Sequence, residues 1–128
     1  MTGSGEQSGF FPGRAPIEAY GNGGFRVSGV FHAGSVLVFP ERTIDWSVSA
    51  FADLTGQSLA ALSGAQPSIE LLLLGCGRSV GFVPPPVRAL LKGQGIAVEP
   101  MDTGAACRTY NVLLAEGRRV AAALIPVA

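Results

Sequence analysis

The chain has 128 residues, of which 48% are hydrophobic and only 14% charged, and its nine basic side chains balance nine acidic ones. This length suits one domain, because typical domains contain about 100–150 residues. The high apolar fraction excludes a disordered, highly charged tail. A net charge of zero argues against binding nucleic acid or an anionic membrane through a broad positive field. We therefore expect a globular domain with no nucleic-acid partner.

The residue types along the chain also limit its location and cofactors. The Gly- and Ser-rich start lacks the basic and apolar regions of a signal peptide, so we expect residues 1–13 to be a flexible leader and 14–128 a single α/β domain. The longest wholly apolar runs are far shorter than the about 20 residues that span a bilayer. One histidine, His32, and two cysteines without a Cys-x-x-Cys spacing are too few for a zinc site or a disulfide framework. The sequence predicts a cytoplasmic protein with no metal and no cofactor.

The first half of the chain has the pattern of short β-strands. Thr43–Val48 alternates between apolar and polar side chains, and Ile44, Trp46 and Val48 form the apolar face. The glycine-rich turn Gly21–Gly24 provides the positive φ angles that close a hairpin. Further β-favouring runs between glycines predict strands at Ile17–Tyr20, Phe25–Val27 and Ser35–Phe39. His32 lies in a glycine-bounded β segment, where a surface or loop position is the ordinary interpretation.

The second half alternates between strand and helix patterns. A short helix is predicted at Thr55–Leu62, with Leu59 and Leu62 on one side. Strands are predicted at Ser68–Leu74, Ile96–Glu99 and Val120–Ile125, and helices from Pro84–Pro86 to Gly93 and from Asp102 or Thr103 to Ala115. The second of these helices has Ala106, Tyr110, Leu113 and Leu114 on its buried stripe. This order predicts a largely parallel sheet with helices packed against it.

The loops after two of the predicted strands form the candidate binding site. In an open α/β sheet, ligands bind beyond the carboxyl ends of the strands. The first loop provides Gly75, Cys76, Gly77 and Arg78, and the second provides Met101, Asp102 and Thr103. We expect the two loops to meet at one edge of the sheet.

The glycines and Arg78 of the first loop allow two interpretations. Backbone amides freed by glycine can approach an anion, and a guanidinium can pair with it. However, the loop lacks the third glycine of a dinucleotide fingerprint and the Gly-Lys-Ser/Thr of a P-loop. A tight turn at the end of a strand explains the same glycines. Asp102 and Thr103 are also ordinary helix N-caps.

The two cysteines, Cys76 and Cys107, are predicted at a strand end and in the following helix, where they could approach each other. A thiolate near a helix N-terminus, assisted by Arg78 or Arg108, would be nucleophilic. Cysteine is also among the most commonly buried residues, which is the structural alternative. No pair of carboxylates converges with the single histidine, so the sequence predicts no catalytic residues.

Several strings of residues together resemble a known family. They are Gly23–Val27, Val36–Pro40 and Trp46 in the first half, and Leu71–Leu74, Gly75–Gly77, Gly95-Ile96, Val98-Glu99, Met101–Thr103, Ala106, Thr109–Asn111, Leu114 and Glu116–Val120 in the second. Their order resembles the family that contains mitochondrial complex I assembly factor 3 and the adipogenesis-associated domain protein. The resemblance extends from Ile17 to Ile125.

The resemblance implies a three-layer α/β fold with a mixed central sheet, and a small bacterial member of a family without established catalytic residues. It further implies a non-enzymatic assembly module whose partners are subunits of a respiratory complex or of membrane biogenesis. The alternative is a small-ligand (anion) binding protein, or an uncharacterised enzyme, that uses the sheet-edge loops. A homo-oligomer paired through an exposed strand edge is also compatible with the short strands.

Overall fold

The computed structural model describes residues 15–65 and 68–128, so the predicted leader at 1–13 lies outside the described residues. These residues form two β-sheets, two α-helices and two 3₁₀ helices. The strands are β1 Ile17–Gly21, β2 Gly24–Val27, β3 Val30–Ala33, β4 Val36–Phe39, β5 Arg42–Asp45, β6 Leu71–Gly75, β7 Ala97–Met101 and β8 Val120–Leu124. The 3₁₀ helices are Phe51–Asp53 and Gln57–Gly64, and the α-helices are α1 Pro85–Gly93 and α2 Thr103–Ala115.

The larger sheet has five strands in the order β5-β4-β8-β6-β7. Strands β6, β7 and β8 run parallel, whereas β4 pairs antiparallel with both β8 and β5. The mixed α/β fold implied by the family resemblance is therefore confirmed. The expectation of a largely parallel sheet holds only for the second half of the chain, because strands joined by a short hairpin such as β4–β5 must run antiparallel.

Apolar layers cover both faces of the five-stranded sheet. Side chains alternate across a strand, so neighbours such as Leu72 and Leu73 enter different cores. One core joins the sheet to α1 and to the Gln57–Gly64 helix through Leu59, Leu62, Val87 and Leu91. The other joins the opposite face to α2 and to the small sheet through Phe25, Val27, Tyr110 and Leu114. This two-sided burial explains why β6 and β8 are apolar without alternation.

The second sheet contains β1, β2 and β3, joined by two tight hairpins. Asn22 and Gly23 turn the first hairpin with φ angles of 55° and 77°, and Ser28 and Gly29 turn the second with 53° and 77°. Two successive positive φ angles define the type I′ turn, whose twist matches that of paired strands. The predicted hairpin at Gly21–Gly24 is confirmed.

Two predicted strands differ from the structure more than the others, each by three residues at one end. β5 ends at Asp45, so the predicted continuation to Val48 is wrong, although Trp46 and Val48 are buried as expected. The Trp46 backbone N–H still donates to the Ser35 carbonyl at 3.0 Å, and its indole N–H donates to the Ser58 carbonyl at 2.7 Å, which ties this end of β5 to the Gln57–Gly64 helix. β6 begins at Leu71 rather than Ser68.

The two α-helices begin and end close to the predicted positions. In α1, Val87 and Leu91 are buried, while Leu90 is 45% exposed. The Asp102 side chain caps α2 by accepting a hydrogen bond from the Ala105 N–H at 2.9 Å. Beyond the end of α2, Gly117 has a φ of 78°, a conformation that favours glycine. The buried stripe of α2 is as predicted except at Leu113, which is only half-buried.

Candidate functional site

The loops after β6 and β7 meet at the carboxyl edge of the parallel strands, as expected from the order of strands and helices. The Cys76 N–H donates to the Met101 carbonyl at 2.9 Å, and the Thr103 N–H donates to the Gly77 carbonyl at 2.8 Å. The Thr103 hydroxyl accepts from the Gly77 N–H at 2.9 Å and donates to the Ile125 carbonyl at 2.6 Å. These bonds fix both loops against the end of β8.

Thr103 therefore has a structural task at the candidate site. It is completely buried, so its hydroxyl is not presented to solvent. Gly75 is buried beside it, and a Cβ atom at Gly75 would lie 3.1 Å from the Thr103 hydroxyl oxygen. Gly77 has a φ of 97°, which favours glycine and directs the chain toward Arg78.

An open pocket of about 420 Å³ lies over this edge. Of the predicted site residues, Gly77, Arg78 and Asp102 line it. Arg78 is exposed and provides the positively charged side chain that lines the pocket. The Asp102 carboxylate caps α2. Met101 and Cys76 are partly buried and do not belong to the pocket lining.

Four further residues line the pocket, and three of them, Tyr20, Val127 and Ala128, lie far in sequence from the two predicted loops. Tyr20 comes from the far end of β1, and Gly104 follows Thr103 in α2. A Cβ atom at Gly104 would lie 2.6 Å from the Tyr20 hydroxyl, so a larger residue at this position would displace the ring from where it now lies. The Tyr20 hydroxyl accepts a hydrogen bond from Arg108 at 3.4 Å. The sequence contains no signal for this contact, because the pair is separated by 88 positions.

The two cysteines do not form a pair. Cys76 packs against the core on one face of the central sheet, and Cys107 belongs to the core on the other face. Burial raises the pKa of the Cys107 thiol to about 12, against a smaller opposing effect of Arg108. Burial also raises the pKa of Cys76, although backbone N–H groups partly oppose it. Raised pKa values disfavour the nucleophilic thiolate at neutral pH.

An apolar segment extends from the candidate site toward α1. Val80 and Phe82 are 61% and 80% exposed. Their neighbours point inward: Val83 is buried, and Gly81 lies so close to the Phe51 ring that a Cβ atom would clash with it. The segment is therefore anchored on one side and presents two large apolar side chains to solvent on the other.

Within residues 15–65 and 68–128, no group of three or more His, Cys, Asp and Glu side chains is arranged to hold a metal ion. The helices of these residues also include none with the length and apolar character needed to cross a membrane.

The chain is similar to known proteins over most of its length. A family model described as "Protein of unknown function (DUF498/DUF598)" matches residues 17–125. An uncharacterised protein of Rhodobacter capsulatus is 43% identical over 91% of this chain and 89% of its own length. NADH dehydrogenase (ubiquinone) 1 alpha subcomplex assembly factor 3 is 37% identical in Xenopus tropicalis and 34% identical in Homo sapiens, in each case over 86% of this chain. The chain spans 60% of the length of these two assembly factors.

Solved structures share the fold. A Bartonella henselae protein, described as an outer membrane protein, has a TM-score of 0.80 and 43% identity over 92% of this chain and 99% of its own. A Bordetella pertussis protein, described as an Mth938-like domain, has a TM-score of 0.79 and 33% identity over 91% of this chain and 88% of its own. The predicted family resemblance is confirmed. The chain belongs to the DUF498/DUF598 family, and its relatives include proteins named as complex I assembly factor 3.

Proposed function

We propose that this protein is a non-enzymatic assembly module in the bacterial cytoplasm, which binds subunits of a complex I-like respiratory complex while that complex matures. The observation that carries the proposal is the similarity to assembly factor 3. In seven animal species, proteins of that name are 34–39% identical to this chain over 86–91% of its length. The shared part is thus nearly all of this chain, and the family match at residues 17–125 includes both sheets and both α-helices.

The exposed segment Val80–Phe82 supports a role in protein binding. Aromatic side chains in the centre of an interface often supply most of the binding free energy. Phe82 is 80% exposed, yet its backbone is held between the inward-facing Gly81 and Val83. Because this backbone is already ordered, a partner that covers Phe82 restricts its side chain but does not have to order the loop. We infer that subunits contact the protein here.

The test is affinity purification of the tagged protein from native membranes, followed by mass spectrometry. The wild-type protein should recover complex I subunits. The amount recovered with Phe82→Ser should be lower by about tenfold or more, because an exposed aromatic anchor is removed. Val112 is 57% exposed on α2, so Val112→Ser is the matched control and should recover subunits normally. If Phe82→Ser recovers as much of these subunits as the wild-type protein does, Val80–Phe82 is not the binding surface. Failure of the wild-type protein to recover such subunits would contradict the proposal itself.

The pocket at the sheet edge supports a second candidate function, the binding of a small anion. The supporting observation is the position of the exposed Arg78 guanidinium in the pocket lining beside Tyr20. Arginine is well suited to carboxylate and phosphate groups because it can donate two parallel hydrogen bonds. We propose that two segments form this site and that Arg78 contacts the anion. The segments consist of Gly75, Cys76, Gly77 and Arg78, and of Met101, Asp102 and Thr103.

Calorimetric titration with inorganic phosphate, pyrophosphate and acetate tests this second candidate. An anion that binds the wild-type protein should lose about tenfold or more in affinity for Arg78→Ala, since a charge-assisted hydrogen bond is lost. Arg119→Ala is the control, because Arg119 lies near Glu70 and Ser68, at the start of β6. Equal affinity for Arg78→Ala and wild type would contradict a site at this pocket.

A further inference from the structure

The two sheets have four outer strand edges, formed by β1, β3, β5 and β7. An outer edge exposes backbone N–H and C=O groups that can pair with another chain, and proteins commonly protect such edges with charges, proline or covering elements. Three of these four edges carry identifiable protection.

The protection differs from edge to edge. At β1, α2 packs alongside and the Asn111 side chain both donates to the Ile17 carbonyl at 2.9 Å and accepts from its N–H at 2.8 Å. At β7, the Arg88 guanidinium donates to the outward Val98 carbonyl at 3.4 Å, and Pro100 has no N–H to offer. At β5, a strand of only four residues begins and ends with the exposed charged residues Arg42 and Asp45. Charged side chains at an edge disfavour pairing.

Strand β3 is different. Its residues Val30, Phe31, His32 and Ala33 carry no carboxylate, lysine or arginine, and Val30 and Phe31 are 56% and 44% exposed. The hairpin register pairs Val27 with Val30 and Phe25 with His32. Because hydrogen bonds alternate in an antiparallel ladder, the N–H and C=O groups of Phe31 and Ala33 point away from β2. Within the part of the chain that the structure describes, no strand pairs with this edge.

We propose that two copies of this chain associate through antiparallel pairing of their β3 strands, with the two-fold axis at His32. This register places Phe31 opposite Ala33 of the second copy and allows four intermolecular hydrogen bonds from the outward groups of these two residues. A register centred on Phe31 would need Gly29, whose N–H already donates to the Glu18 carboxylate and whose carbonyl accepts from Arg26. The His32 register therefore satisfies more backbone groups.

Charge and shape favour a second copy as the occupant of this edge. The chain has a formal net charge of zero, so two copies approach without net repulsion, a condition that promotes association. In the proposed register, the large Phe31 side chain lies beside the small Ala33 of the second copy, and both leave water. Because β3 has only four residues, we expect the dimer to bury less than the roughly 1,200 Å² of stable complexes. We therefore expect a weak dimer with a dissociation constant of about 10–100 µM.

Sedimentation equilibrium of the full chain, from about 5 µM to 1 mM, tests the proposal. The wild-type protein should show a monomer–dimer equilibrium. Ala33→Pro removes an outward N–H without removing a bond to β2, a position where strands tolerate proline. It should weaken the dimer about tenfold or more, because two of the four hydrogen bonds are lost, while the unfolding midpoint of the monomer stays close to that of wild type.

Charge variants locate the interface independently of Ala33→Pro. Phe31→Lys places a positive charge at the edge of both copies and should abolish the dimer, whereas Val112→Lys, at a similarly exposed position on α2, should leave it intact. His32→Lys and His32→Glu should each be monomeric alone and dimeric when mixed, because opposite charges then meet at the axis. A wild-type protein that stays monomeric at about 1 mM, or a dimer unaffected by both Ala33→Pro and Phe31→Lys, would overturn the proposal.

Discussion

The side chain of Thr103 lies under the candidate site, and its hydroxyl joins the loop after β6 to the end of β8. It accepts from the Gly77 N–H and donates to the Ile125 carbonyl, 22 residues further along the chain. The sequence indicated Asp102 or Thr103 as a helix cap, and Asp102 performs that task. A long-range hydroxyl contact has no local pattern, so the role of Thr103 could not be predicted.

Replacing Thr103 by the isosteric valine should lower the free energy of unfolding by about 1–3 kcal/mol, because two polar backbone groups lose their partner in a buried environment. Urea denaturation measures this change. Thr43→Val, at a half-buried position on β5, is the control, and we expect a change within about 0.5 kcal/mol. Equal effects of the two substitutions would show that the Thr103 hydrogen bonds are not stabilising.

The raised thiol pKa values predict low reactivity of both cysteines. Cys107 is 3% exposed with a pKa of about 12, so at pH 8 it should resist iodoacetamide in the folded protein and react only after denaturation. Cys76 is partly exposed and should react, but more slowly than a free thiol, and faster as the pH rises because its thiolate fraction increases. Mass spectrometry of the labelled peptides gives both rates. Rapid labelling of Cys107 in the native protein would contradict its buried position.

Among the helices and strands, hydrophobic periodicity predicted the buried elements correctly. It did not predict the strand pairing or the strand ends that depend on tertiary contacts. The buried runs of β6 and β8 and the stripe of α2 could be predicted, because packing on a sheet leaves a regular apolar pattern. The separation of β1–β3 into a second sheet could not, because β4 pairs with β8, which is distant in sequence, and not with β3. The end of β5 also escaped prediction, because the buried Trp46 and Val48 continue the apolar alternation although the strand ends at Asp45.

Adjacent leucines in α1 provide a test of how that helix packs. Leu91 is 1% exposed and belongs to the core, whereas Leu90 is 45% exposed. Leu91→Ala should lower the free energy of unfolding by about 2–5 kcal/mol, since it leaves a cavity in the core. Leu90→Ala should cost less than about 1 kcal/mol. Thermal or urea unfolding of the two proteins checks the prediction, and a reversed order would mean that α1 presents the opposite face to the sheet.

Across the whole molecule, the net charge of zero does not mean that apolar and polar groups are evenly distributed over the surface. Val80 and Phe82 form an exposed apolar segment at one carboxyl end of the central sheet, and β3 forms an unprotected edge on the small sheet. The sequence could predict the meeting of the two sheet-edge loops, because parallel strands end at the same side. It could not predict the contribution of Tyr20 from the first half of the chain to the same pocket.

We propose that this protein helps a complex I-like respiratory complex to assemble, and the amount of assembled complex in cells is the direct test of that role. We would delete the gene in the native host and quantify fully assembled complex I on native gels, normalised to another respiratory complex. We expect a clear loss of assembled complex I that the wild-type protein restores and the Phe82→Ser protein does not. An unchanged amount of complex I in the deletion strain would contradict a role of this protein in assembly.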